Sequence, residues 1–408
     1  MEKIVIRGSR VLSGELTVSG SKNAALPILF ATLITRGISV IENLPRIGDV
    51  EIALEIIRSF GARVTWDADA VYVDTRSLSY SEPDRTLTSK IRASTYLIGA
   101  QLSRFGRCSI GEYGGCNFSN RPIDLHVLAA KRLGAIEEGG VLLADKLRAG
   151  RIDLPLPSVG ATVNSLILSA SADGETVIRG FAREPHITSL ISYLNSAGAD
   201  ISVSRNEITV VGKPLCGGRV RIIGDMIEAG SYLAAGLVTG GEVSVRGVSS
   251  DSMRAVLDSL SLMGAEVSFC ADYVKARSSG HSFPVRIAAE PYPGFPTDLQ
   301  PIFAPILARF SGGILRDTVW RSRFGYLAEL EKFGVVSFPV GEGYIIKKSK
   351  IKPASVTAPD LRGGMACVLM GLMADGESEV HSASTVLRGY ENLSGKLSML
   401  GAQIEIVN

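Results

Sequence analysis

A chain of 408 residues, 46% apolar and 21% charged, is long enough for two or three domains with sizeable cores. Lysine and arginine number 43 against 41 acidic residues, and a formal charge of +2 excludes both the electrostatic footprint of a nucleic-acid binder and the basic pull of a membrane-surface protein. The longest uncharged stretch, residues 154–172, holds two prolines and several hydroxyl and amide side chains, so it does not read as a spanning helix.

In chain order, the segment IVIRGSRVLSGELTVSG alternates with period two around glycines and predicts an N-terminal hairpin from Ile4 to Val18. SKNAALPILFATLITRG follows as a buried helix, and DVEIALEIIRSFG as an amphipathic one closing on Gly61. The same succession returns with LHVLAAKRLGA, with the buried helix SVGATVNSLILSASADG, with the hairpin-like ITVVGKPLCGGRVRIIG and with TAPDLRGGMACVLMGLMADG.

The recurrence is regular. A helix ending on Gly before a strand appears at Gly61, Gly134, Gly198, Gly264, Gly334 and Gly401, in steps of 73, 64, 66, 70 and 67. A second series, closing the Ala-rich helices, falls at Gly37, Gly106, Gly174, Gly241, Gly313 and Gly376, in steps of 69, 68, 67, 72 and 63. Both periods lie near 68, one sixth of the 408 residues, so the chain is read as six repeats. Six units exceed one core, which predicts two similar α/β domains of three repeats each: residues 21–223, and 1–20 together with 224–408. The first hairpin is the natural complement of the last strand, Gln403 to Val407, so the chain ends are expected to meet.

The starts of the buried helices carry unusual groups: Ser21-Lys22-Asn23, Lys90-Ile91-Arg92, Ser158-Val159-Gly160, Asp225, Thr297-Asp298 and Asp360-Leu361-Arg362. A cation in a first turn opposes the helix dipole, so Lys22, Arg92 and Arg362 make sense either around a bound anion or beside a neighbouring carboxylate. Aspartates there are ordinary caps as well as candidates. Residues 114–126 form a glycine-rich polar loop, GGCNFSNRPIDLH, with Pro122 suited to the first helical turn. Cys116 in that setting, near Arg107 and Arg121, is a reactive thiol or proton donor rather than a core cysteine, whereas His126 reads as a satisfied helix residue. Further arginines sit in the loops DTVWRSRF (317–324) and LRGYE (387–391). The five cysteines (108, 116, 216, 270 and 367) are far apart with no CxxC spacing, which argues against disulfides and zinc and for a reducing cytoplasm. Four scattered histidines make no metal cluster, and there is no P-loop or GxGxxG motif; no metal and no cofactor is expected.

These residues together resemble the UDP-N-acetylglucosamine enolpyruvyl (1-carboxyvinyl) transferase family over essentially the whole chain. The match is carried by GSKNAALPILFA (20–31), IRAS (91–94), GGC…RPIDLH (114–126), SVGATV (158–163), AREP (182–185), FPTDLQ (295–300), DLR (360–362) and RGYE (388–391). The resemblance implies two domains of three βαβαββ units, an inside-out α/β barrel arrangement, with the active site in the cleft between them. It implies transfer of the enolpyruvyl group of phosphoenolpyruvate to the 3-hydroxyl of UDP-N-acetylglucosamine with release of phosphate, the first committed step of peptidoglycan synthesis. Carried over residue by residue, Lys22, Arg121 and Arg388 would hold phosphoenolpyruvate, supported by Arg92 and Arg362. Cys116 would be the general acid, or assist product release, and the target of fosfomycin, and Asp298 the base, with Asp360 close by. Asn23, Arg121, Pro122, Ile123, Asp124, Leu125, Ser158, Val159, Gly160, Asp298 and Val319 would contact the sugar nucleotide.

The chain departs from the family pattern at Leu156, where many members carry a lysine, at Gly48 and Met226 in place of basic residues, and at Thr385 and Leu387 in place of His and Asp. These departures bear on acceptor affinity and on the geometry of the site, Arg388 having fewer orienting partners, and leave open another acceptor, shikimate 3-phosphate or a different nucleotide. A binding protein that reuses the repeat is the non-enzymatic alternative. No nucleic-acid or membrane partner is expected, and the sequence leaves the oligomeric state undetermined.

Overall fold

The computed structural model describes residues 2–111, 113–115 and 122–408; Cys116 and Arg121 lie outside the described residues. The described chain forms two compact units, one of residues 2–19 and 224–408, the other of residues 20–115 and 122–223. Each is a mixed α/β body in which apolar helices form the interior and small sheets the exterior.

Six largely apolar helices are buried over most of their length: Lys22–Ala31, Leu97–Phe105 and Val159–Ser171 in the N-terminal unit, Met226–Thr239, Gln300–Arg309 and Leu361–Met373 in the C-terminal unit. The three C-terminal ones pack on one another, and Leu97–Phe105 touches both of its counterparts. Strands around them alternate buried and exposed, as in Glu377–His381, which places one face on the helices and one in solvent. This is the inside-out barrel.

The units share a sheet plan. In three repeats a short strand before the buried helix lies parallel to the strand after it, and the amphipathic helices lead into antiparallel strands. Val285–Ala289 and Gly313–Asp317 are parallel in this way, and Val336–Val340 pairs with Gly343–Lys347. The amphipathic helices all stop on a left-handed glycine: Gly61, Gly134, Gly198, Gly264, Gly334 and Gly401 have φ of 94°, 95°, 109°, 97°, 96° and 103°. Only glycine adopts that backbone without strain, which is why the repeat was readable there. In the second series, left-handed φ occurs at Gly106, Gly174 and Gly376, but one residue earlier, at Gly240 and Gly312, in the fourth and fifth repeats.

The two expected hairpins are not hairpins. Lys3–Arg7 pairs with Glu377–His381 and with Gln403–Val407, so the chain ends do meet. Gly14–Thr17, however, joins another sheet, parallel to Glu242–Arg246. Likewise Glu207–Val211 pairs with Asp200–Val203, while Arg219–Arg221 lies parallel to Ile38–Glu42. The strand before each crossing thus completes a sheet of the unit the chain is leaving. Alternation with glycine turns marks both strands but says nothing of their partners.

Next to the first crossing, Ser19 is held by a buried ion pair. Its N–H donates to Glu228 Oε2 at 2.8 Å and its Oγ accepts from Lys396 Nζ at 2.7 Å, while Lys396 also bonds Glu228 Oε1 at 2.5 Å. Among the described residues, no helix is long and apolar enough to cross a membrane.

Candidate active site

In the N-terminal unit, Lys22 is the first residue of its helix and its Nζ lies 3.1 Å from Asp49 Oδ2, both side chains being largely buried. Asp49 comes from the first turn of Gly48–Ser59, where a carboxylate also suits the helix dipole. A neighbouring carboxylate, one of the two settings expected for a cation at this helix start, is therefore present beside Lys22. Asn23 follows on the same turn, half-buried. Arg92 opens a short 3-10 turn, Arg92–Tyr96, and its Nη2 donates to the carbonyl of Pro122 at 3.4 Å.

Pro122 is not in the first turn of a helix: the helix runs Asp124–Arg132, with Ile123 at its cap making no side-chain cap bond. Asp124 and Leu125 thus fall in the first turn and Pro122 in the entry. His126, on the same turn, is buried, and Asn164 explains how it is satisfied. The Oδ1 of Asn164 accepts from the N–H of Gly99 at 2.8 Å, which fixes the amide so that Nδ2 donates to Thr95 O at 3.0 Å and faces His126 Nδ1 at 2.6 Å. His126 Nδ1 is then the acceptor and Nε2 carries the proton. Burial first, and Arg92 second, push the imidazole down to about 4, so it is neutral at physiological pH.

This network ties together three candidate segments: the turn that starts at Arg92, residues 122–125, and the start of Val159–Ser171. Ser158 caps that last helix, accepting from Ala161 N at 3.4 Å. A Cβ on Gly160 would lie 2.7 Å from Cε1 of the buried His126 ring, closer than contact allows, so the ring or the backbone would have to shift. Gly160→Ala is expected to lower stability by about 2 kcal/mol in urea unfolding through this overpacking; a variant as stable as the parent contradicts the packing.

In the C-terminal unit, Asp298 sits in the turn Thr297–Leu299 that leads into Gln300–Arg309. Its Oδ1 accepts from Arg323 Nη1 at 2.8 Å, and its Oδ2 from Arg362 Nη2 at 3.2 Å and Nε at 3.3 Å. The two arginines are buried while the carboxylate side chain remains 26% exposed, so its open edge can still meet a ligand. Arg362 lies over the Tyr390 ring at 5.3 Å, and Tyr390 shares a hydrogen bond with Ser231 at 2.8 Å. Asp360 is a cap: its Oδ1 accepts from Arg362 N and Gly363 N at 3.0 and 3.1 Å. Asp225 caps Met226–Thr239 in the same way. Val319 is donor to Asp317 Oδ1 at 3.0 Å, at the edge of solvent. Arg388 ends the helix Ala383–Leu387, half-buried.

The structure thus gathers Arg92, Pro122 and Ile123–Leu125 with Ser158–Gly160 in one unit, and Asp298 with Arg362 in the other. Sequence reasoning missed Asn164, Asp49 and Arg323 as partners. The signal for Arg323 was its arginine-bearing loop; Asn164 was hidden inside an apolar helix. At the departures, Leu156 is exposed, whereas Met226 and Leu387 pack on the C-terminal core.

Comparison with known proteins bears on this geometry. Residues 6–397 match the family described as EPSP synthase (3-phosphoshikimate 1-carboxyvinyltransferase). The chain is 41% identical over 413 residues to UDP-N-acetylglucosamine 1-carboxyvinyltransferase 3 of Caldanaerobacter subterraneus subsp. tengcongensis, covering 99% of each chain. It is 40% identical over 414 residues to UDP-N-acetylglucosamine 1-carboxyvinyltransferase of Halothermothrix orenii, covering 100% of each. Among solved structures, it resembles the enolpyruvyl transferase NikO from Streptomyces tendae with a TM-score of 0.89 at 24% identity, over 100% of this chain and 99% of that one. EPSP synthase from Acinetobacter baumannii follows with a TM-score of 0.77 at 18% identity, over 100% of both. These two likenesses speak for the fold.

Proposed function

The chain belongs to the UDP-N-acetylglucosamine 1-carboxyvinyltransferase family of enolpyruvyl transferases, and from that premise we propose that it transfers the enolpyruvyl group of phosphoenolpyruvate to the 3-hydroxyl of UDP-N-acetylglucosamine, releasing phosphate for peptidoglycan synthesis. End-to-end identity with relatives of that name is the observation that carries this reading, and the retained Lys22, Cys116, Asp298 and Arg388 accord with it. A cytoplasmic setting fits the soluble substrates.

The reaction needs a proton on the methylene carbon of phosphoenolpyruvate, removal of the acceptor hydroxyl proton as its oxygen bonds to the neighbouring carbon, and then elimination of phosphate together with a proton from the methyl group so formed. Asp298 would accept the hydroxyl proton through its open edge. Cys116 would protonate the methylene carbon. Lys22, Arg121 and Arg388 would hold the phosphate and carboxylate, with Arg92 and Arg362 in support, because planar guanidinium groups pair with such oxyanions in bidentate fashion. Asn23, Pro122, Ile123, Asp124, Leu125, Ser158, Val159, Gly160 and Val319 would contact the sugar nucleotide, and Asp360 would set the turn on which Arg362 stands. We assign the catalytic bodies to residues 21–223 and to 1–20 with 224–408.

Incubation with both substrates should yield the enolpyruvyl ether of the sugar nucleotide by mass spectrometry; an unmodified sugar nucleotide would refute the reading. Cys116→Asp should keep activity while losing sensitivity to fosfomycin. Cys108 and Cys367 are buried with their thiols pushed up, Cys108 to about 12, so they offer no competing thiolate. Sustained fosfomycin inhibition of Cys116→Asp would remove Cys116 as the target.

A further inference from the structure

Among the described residues five sheets have four strands, and four of these carry cross-strand ion pairs on the solvent face, such as Arg179 with Glu207 and Arg246 with Glu15. The fifth is different. Its strands, in the order Val285–Ala289, Gly313–Asp317, Gly343–Lys347 and Val336–Val340, hold a single acidic residue, Asp317, which is buried on the inner face. On the outer face the registers set Arg286 beside Ile314, Ile314 beside Ile345 and Ile345 beside Phe338, with Arg316 beside Gly343 and Lys347 beside Val336. Val336 and Phe338 are 42% and 45% exposed, and Lys347 Nζ stands 5.0 Å from the centre of the Phe338 ring. Exposed Lys348, Lys350 and Lys352 carry the positive charge past the end of the strand. None of these six cations has an ion pair among the described residues, and neighbouring acids are engaged elsewhere: Glu342 with Arg321 at 2.7 Å and Glu329 with Lys332 at 2.8 Å.

The +2 of the whole chain conceals this asymmetry. Residues 285–357 hold ten basic and six acidic side chains, a charge of +4, and the remaining 33 basic and 35 acidic residues give −2. An apolar stripe rimmed by unpaired cations suits a partner that is anionic outside and apolar beneath. A second copy of the same face would set cation against cation. Four strands about 4.8 Å apart, each of five residues at about 3.3 Å, make a face of roughly 300 Å². That is well below the about 800 Å² that each partner gives to a standard protein interface. A bilayer surface needs no shape match, since anionic headgroups take the cations while exposed apolar side chains enter the headgroup boundary.

We infer that the outer face of this sheet docks on a bilayer surface rich in anionic phospholipid, with Arg286, Arg316, Lys347 and the lysines that follow it on the headgroups and Phe338 at the boundary. The contact is a surface one, with no spanning helix among the described residues. It uses none of the residues assigned to the substrates and does not depend on the reaction proposed above.

The test is sedimentation of the full chain with sucrose-loaded vesicles, made either of phosphatidylcholine alone or of equal parts phosphatidylcholine and phosphatidylglycerol. The chain should pellet with the mixed vesicles at low salt and stay in the supernatant with phosphatidylcholine alone. High salt should release it, because screening shortens the reach of the cations. Lys347→Gln, Lys348→Gln and Lys350→Gln combined should weaken partitioning roughly 100-fold, and Phe338→Ser roughly 10-fold. Both variants should keep the wild-type melting temperature, since the replaced side chains are exposed. A wild-type chain that stays in the supernatant with the mixed vesicles overturns the inference. Undiminished sedimentation of the triple variant also overturns it, by placing the contact elsewhere. Phe338→Ser that pellets as fully as wild type would mean that charge alone acts, as toward an acidic protein, and overturns the bilayer as the partner.

Discussion

Asp298→Asn is expected to lower turnover about 1,000-fold, within the range that a positioned general base contributes, while sugar-nucleotide binding stays measurable by calorimetry. The carboxylate stands between Arg323 and Arg362 with an open edge. An amide of the same shape keeps the contact surface but cannot take the hydroxyl proton. Its NH₂ would also face a guanidinium, replacing an attraction by a clash of donors. The loss should therefore fall on kcat rather than on the dissociation constant of the sugar nucleotide. Turnover within a few-fold of wild type would remove Asp298 as the base.

Asn164→Ala is expected to cost about 4 kcal/mol in urea unfolding at neutral pH. The substitution strands the N–H of Gly99 and Nδ1 of His126 and takes one of its donors from the carbonyl of Thr95. Each unsatisfied buried group costs about 1–3 kcal/mol. A cost below 1 kcal/mol would mean that the network is not formed. The same network makes stability depend on pH. His126 titrates at about 4 in the folded chain against 6.5 in the unfolded one, so the unfolded state takes up the proton first as pH falls. Stability linked to His126 is complete above pH 6.5 and drains away between 6.5 and 4, by about 3 kcal/mol at the lower limit. His126→Gln should show a shallower decline over that window, and an identical decline would contradict a buried neutral imidazole.

Repeats and buried helices were legible because their causes are local. Gly61, Gly134, Gly198, Gly264, Gly334 and Gly401 each stop a helix in a left-handed backbone, and that requirement leaves its mark at a fixed place in every unit. The exchange of Gly14–Thr17 and Arg219–Arg221 was not legible, since the partners, Glu242–Arg246 and Ile38–Glu42, lie far away in the chain. Two alternating segments joined by glycines look like a hairpin whichever sheets they enter. The site divides along the same line. Lys22, Asp298 and Arg362 stood out as charges at helix starts. Their partners Asp49 and Arg323 are fixed only by tertiary packing, and Asn164 read as one polar residue in an apolar helix. Arg388 stood out only as an arginine in a loop and Cys116 as a reactive thiol or proton donor, while the substrate contacts of Val319, Arg121 and Arg388 entered through the family resemblance; Cys116 and Arg121 lie outside the described residues.

Leu156 departs from the family pattern near the sugar-nucleotide residues, and Thr385 and Leu387 depart from it beside Arg388. Leu156 is exposed two residues before the cap Ser158, so a missing lysine there costs the packing nothing. Leu387 lies against the C-terminal core beside Arg388. The central claim is therefore tested most directly by phosphate release from phosphoenolpyruvate with UDP-N-acetylglucosamine in one reaction and shikimate 3-phosphate in another. Release with the sugar nucleotide alone is the predicted result. Release with shikimate 3-phosphate, or with neither acceptor, would contradict it.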